Sequence, residues 1–121
     1  MKDVVTLIVP AKEKELPVVR LTTAGIASRF KMDWETMEDV KTAVYEACYA
    51  MTMQKWAPEE IRIDFSLAEN FTATVAALGE KTETLCRIPE LKLCKAVLEA
   101  MIPFVQIELE DDCITSIRLS R

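Results

Sequence analysis

The stretch Ile61-Arg62-Ile63-Asp64-Phe65-Ser66-Leu67-Ala68-Glu69-Asn70-Phe71-Thr72-Ala73-Thr74-Val75-Ala76-Ala77 decides the fold. Ile61, Ile63, Phe65 and Leu67 alternate with Arg62, Asp64 and Ser66, and after the turn-like Glu69-Asn70 the alternation resumes at Phe71, Ala73, Val75 and Ala77. Successive side chains of a strand point to opposite faces, so a period of two describes a hairpin with one buried face. A sheet buried on one face needs a covering layer, and the flanking sequence supplies helices.

Towards the N-terminus, Val4 to Val9 is a short β-branched run stopped by Pro10, a first strand. Pro17 suits the first turn of a helix running to about Phe30. Gly25 lies inside that helix at a cost of about 1 kcal/mol relative to Ala, which implies close packing there. Asp33 offers an N-cap to a second helix reaching about Lys55 or Trp56, before Pro58, and Glu35 and Glu38 near its start suit the helix dipole. Met37, Val40, Val44, Ala47, Cys48 and Met51 share one face of it, a core stripe. A second face carries Asp39, Ala43, Glu46, Ala50 and Met53, rich in small residues, and either lines a pocket or packs closely; Asp39 reads as a surface charge.

Towards the C-terminus, Gly79 to Arg87 is polar and reads as loop. Pro89 opens a third helix carrying Leu91, Cys94, Val97, Leu98 and Met101, closed by Pro103. Val105, Ile107 and Leu109 form another alternating strand, Glu110-Asp111-Asp112 turns the chain, and a last strand runs from about Cys113 to Leu119. The predicted order, β-α-α-β-β-α-β-β, describes an α+β fold: a two-layer α/β sandwich with helices on one sheet face, one domain over residues 1–121.

Half of the 121 residues are hydrophobic and 29% are charged, an ordinary balance for a folded domain. No segment approaches the roughly 18 uninterrupted apolar residues of a membrane span. Met1-Lys2-Asp3-Val4-Val5 is too short and too soon charged for a secretory signal, so a cytoplasmic location and no membrane contact are expected. The net charge is −5 and Lys and Arg are scattered, without the basic stripe that nucleic acid requires. A protein partner or a small ligand fits this balance better.

The chain has no His, and its four cysteines, Cys48, Cys86, Cys94 and Cys113, lack Cys-x-x-Cys spacing, which excludes an ordinary zinc site. Buried thiols are expected rather than disulfides. Ser-His and Cys-His nucleophile pairs are also closed off. Trp34 and Trp56 are expected in core or half-buried packing, and the six methionines as core filler.

Several blocks taken together resemble a known family. Ile8-Val9-Pro10-Ala11, Val19-Arg20-Leu21-Thr22, Ala24-Gly25-Ile26-Ala27-Ser28-Arg29 and Glu38 to Cys48 are similar, in order, to the N-terminal part of the serine-kinase anti-sigma factors, bacterial regulators of the Bergerat-fold (GHKL, histidine-kinase-like) ATPase superfamily. The likeness thins after Trp56. The resemblance implies a Bergerat-type sandwich, with Glu46 at the position of the general base that acts on a partner's serine hydroxyl.

The family's magnesium ligand, an Asn four residues further on, falls on Ala50, which has no oxygen to offer a hard cation. Its adenine-recognising Asp falls on Ala77, while the Gly two residues later is kept as Gly79. Its long Gly-rich lid is replaced by the eleven residues from Glu80 to Glu90, none of them glycine, so the lid is shortened or absent.

The resemblance so read implies a pseudokinase: a degenerate anti-sigma-factor-like regulator, without nucleotide or metal, acting by protein binding. Its partner would be a sigma factor or an anti-sigma antagonist, with homodimerisation also implied, and Arg20 is the expected interface residue. Arg29, Tyr49 and the two tryptophans are further interface candidates. The alternative is an active serine/threonine kinase using ATP and magnesium, with Glu46, Glu80 or Glu83 recruited around the metal. A cleft repurposed for another small molecule, or a structural subunit of a complex, is a third reading.

Overall fold

The computed structural model describes residues 3–83 and 91–121. The elements are β1 (Val4–Pro10), a 3₁₀ turn (Glu13–Glu15), α1 (Leu16–Ala27), α2 (Trp34–Met53), β2 (Trp56–Ala57), β3 (Glu60–Ser66), β4 (Thr72–Leu78), β5 (Thr82–Glu83), α3 (Leu91–Met101), β6 (Phe104–Glu110) and β7 (Cys113–Ser120). Five strands form one sheet in the order β1-β3-β4-β7-β6, and β2 and β5 form a separate two-stranded ladder. Every paired neighbour runs antiparallel. The fold is α+β, compatible with a Bergerat-type sandwich. No helix among the described residues is long and apolar enough to cross a membrane.

The alternation that opened the sequence is realised residue for residue. Ile61, Ile63 and Phe65 of β3 face Ala77, Val75 and Ala73 of β4, and Ile61, Ile63, Phe65, Ala73 and Val75 are fully buried. Ile117 and Leu119 of β7 join them. Val40, Val44, Ala47, Cys48 and Met51, the core stripe of α2, lie in the same cluster. Each large side chain so buried contributes about 1.5–3 kcal/mol of hydrophobic stabilisation. The opposite face of the sheet is polar: Thr6 Oγ1 donates to Asp64 Oδ1 (2.6 Å), Arg62 pairs with Asp64 (3.1 Å), and the Thr72 and Ser120 hydroxyls bond at 2.9 Å.

Asp33 caps α2 as expected, its carboxylate accepting from the Thr36 N–H at 2.7 Å. That bond holds the carboxyl below its ordinary range, with Arg121 adding a smaller electrostatic pull. The helix stops at Met53 because Gln54 turns extended, with ψ 160. Its buried amide then satisfies both backbone groups of Ile114, donating to the carbonyl (3.1 Å) and accepting from the N–H (2.8 Å). Pairing between β7 and β4 stops at Ser116, so these groups lie past the end of that ladder and Gln54 supplies their partner. In the β6–β7 turn, Asp111 (φ 52) and Asp112 (φ 62) both take the left-handed conformation, as a type I′ hairpin requires.

Three expectations are corrected. Gly25 is exposed and a Cβ there would meet nothing within 4 Å, so no close approach accounts for it. Helix α1 ends at Ala27 rather than near Phe30, with the Ser28 hydroxyl bonded to the Gly25 carbonyl at 2.7 Å. Trp34 is 77% exposed rather than packed, because it is the first residue of α2 and projects beside the cap. Trp56 is 41% exposed.

Candidate functional site

The residues singled out by their spacing lie on α2 and at the end of β4. On α2, Ala43 is fully buried and Ala50 is 6% exposed, both within the hydrophobic core cluster. This settles the second face of α2 towards close packing at those two positions. Glu46, between them, is half-buried, as are Asp39 and Met53. Burial raises the Cys94 thiol of α3, and the Glu46 carboxylate raises it further, so Glu46 lies towards α3. Burial pushes Cys48 up to about 12, which keeps it a thiol at any physiological pH. Cys48, Cys94 and Cys113 are free thiols, and Cys86 lies outside the described residues.

Gly79 follows β4 with φ +81, the left-handed region that favours glycine. A Cβ there would come within 2.9 Å of Glu59 Cβ. The Glu59 carboxylate bends over this turn and accepts the Glu80 N–H at 3.1 Å, while the Glu59 N–H donates to the Leu78 carbonyl at 3.1 Å. The retained glycine therefore has a local cause in the turn itself. Ala77 is half-buried, pairs with Ile61 and packs against the core. Beyond Glu80 the chain returns along the end of α2, where β5 pairs with β2 and Lys55 meets Glu83 at 3.7 Å. The expected lid falls largely on residues 84–90, outside the described residues.

Ala50 carries no ligand atom, and the described residues include no group of three or more Asp, Glu or Cys side chains able to hold a metal ion. Glu46, Glu80 and Glu83, the candidate replacements, are thus not gathered into one. Glu59 accepts the Glu80 N–H at this end of the sheet, and Glu83 follows on β5.

Arg20 projects from α1 to α2, its guanidinium 3.4 Å from Glu38, which also accepts from Lys41 at 2.7 Å. The Lys41 bond, then the charges of Lys41 and Arg20, hold the Glu38 carboxyl below its ordinary range. The Arg20 side chain remains 39% exposed. Leu21 beside it is 75% exposed and Val18 is 45% exposed. Sequence reading passed over these two apolar residues. The signal available was the helical period, since they fall between the buried positions Leu16, Val19, Thr23 and Ile26.

No family model matches the chain. It is 38% identical over 64 residues to the serine-protein kinase RsbW of Bacillus thuringiensis (strain Al Hakam) and to that of Bacillus cereus (strain AH820). The same identity over 64 residues is found with the serine-protein kinase RsbW of Bacillus mycoides (strain KBAB4). The matched segment is 51% of this chain and 40% of each relative, so it spans less than half the length of these kinases. Over that segment the chain is homologous to the RsbW serine-protein kinases.

Proposed function

We propose that this chain is a regulatory relative of the serine-kinase anti-sigma factors that has kept the sandwich and lost the phosphoryl-transfer site, and that it acts by binding protein. The observation that carries the proposal is Ala50. One turn beyond Glu46, where the resemblance calls for a metal ligand, a methyl group is 6% exposed within the core. Without the ion there is nothing to bridge the phosphates of a nucleotide, and Glu46 has no transfer to assist. Ala77 in place of the adenine-binding Asp supports the same reading.

The mechanism is then sequestration of a partner, a sigma factor or an anti-sigma antagonist, in the cytoplasm. The surface around Arg20, Val18 and Leu21 joins a cation to exposed apolar area and suits such an interface. Self-association into a homodimer is part of this proposal.

The second reading is an active serine/threonine kinase with ATP and magnesium. It is favoured by the kinase names of the relatives and by the half-buried Glu46 at its inherited position. Incubation with labelled ATP, magnesium and co-purifying proteins separates the two. No label should reach a serine. Transfer that vanishes in Glu46→Ala would overturn the proposal in favour of the kinase.

A further inference from the structure

The end of the sheet opposite Gly79 has a different character. The connection from α1 to α2, carrying Arg29 and Lys31, lies there against the β3–β4 turn. Two cavities open at this end and share Asn70 and Arg121. One, of about 560 Å³, is lined by Arg29, Lys31 and Arg121; the other, of about 750 Å³, by Arg118, Arg121 and Phe104.

Elsewhere on the sheet and helices, Arg20, Lys41, Lys55 and Arg62 make ion pairs. Among the described residues, Arg29, Lys31, Arg118 and Arg121 make none. Four cations that make no ion pair among the described residues thus line one end of the molecule, with the acids Asp3, Glu69 and Glu99 on the same walls. Two aromatic side chains stand beside them. Phe104 is 65% exposed on the wall of the larger cavity, and Trp34 is 77% exposed next to Asp33, which is close enough to Arg121 to feel its charge.

We infer that this end of the molecule docks an acidic segment of a protein partner, its carboxylates met by Arg29, Lys31, Arg118 and Arg121 and its apolar side chains set against Phe104 and Trp34. Guanidinium groups take carboxylates in paired hydrogen bonds, and Arg and Trp dominate binding hot spots. The acids Asp3, Glu69 and Glu99 on the same walls select discrete carboxylates over a continuous phosphate backbone, which they would repel. The inference rests on the protein-binding reading above for the class of partner, and does not depend on the nucleotide site.

In a Trp56→Phe variant Trp34 becomes the sole indole reporter, and hexaglutamate carrying a terminal leucine is the probe. The expected result is a saturable change in Trp34 emission at low salt. It should weaken at least about tenfold in the double variant Arg29→Glu/Lys31→Glu and with added salt. The milder Arg29→Gln/Lys31→Gln pair guards against misfolding and should show the same direction, while Lys12→Glu/Lys14→Glu should leave binding unchanged. Absence of saturation, an equal loss in the Lys12/Lys14 variant, or tighter binding of single-stranded oligothymidylate than of the acidic peptide would overturn it. Nucleotide binding is measured separately, so failure here removes this surface and leaves the reading of the kinase site standing.

Discussion

Putting back the missing ligand, Ala50→Asn, discriminates between an open nucleotide cleft and a closed core. Ala50 is 6% exposed and belongs to the same packed cluster as Ala47, Cys48 and Met51. A larger side chain forced into such packing costs about 1–3 kcal/mol. An amide buried there without partners costs a further 1–3 kcal/mol or so. The expected loss is therefore about 2–6 kcal/mol, which for a domain of this size corresponds to roughly 4 °C of melting temperature per kcal/mol. Urea denaturation followed by circular dichroism measures it directly. A loss no larger than about 0.7 kcal/mol, the helix-propensity difference alone, would mean that position 50 opens onto space and polar partners. Magnesium-dependent stabilisation of the variant by ATP would then refute the packed-core reasoning altogether.

Gly25→Ala should stabilise the fold by about 0.5–1 kcal/mol in the same assay, since the position is exposed, helical and clear of neighbours. Gly79→Ala should destabilise by at least about 1–2 kcal/mol with or without nucleotide, because its positive φ disfavours a side chain and its Cβ would crowd Glu59. The Asp33 carboxyl is held below its ordinary value of 3.8 by the Thr36 bond, so its stabilisation is complete above that pH and is lost as pH falls through the lowered value. Asp33→Asn keeps a capping acceptor without the titration, and should flatten the acid limb of a stability–pH profile.

What the sequence disclosed, and what it hid, follows from the range of each interaction. The hairpin of β3 and β4 was legible because its alternation is long and strictly one-sided, with Ile61, Ile63 and Phe65 all at 0% exposure. Asp33 was legible because a cap is a bond between near neighbours. The β2–β5 ladder was not, since two residues on each side carry no period. Gln54 was not, because the backbone groups it satisfies lie 60 residues away. Gly25 showed as a weak point in a helix, but the space beside it depends on how α1 sits on the sheet. At the candidate site the spacing of Glu46 and Ala50 was plain. Whether Ala50 faced a cleft or the core was left open by the sequence, as both place small residues on one helix face.

The central claim is the loss of nucleotide chemistry, and calorimetric titration with Mg-ATP and Mg-ADP, paired with thermal melts, tests it most directly. A ligand at 100 times its dissociation constant stabilises a folded protein by about 2.7 kcal/mol, so genuine binding would be plain in the melt. The account predicts no heat and no shift with either nucleotide. Saturable, magnesium-dependent heat accompanied by a rise in melting temperature would contradict it.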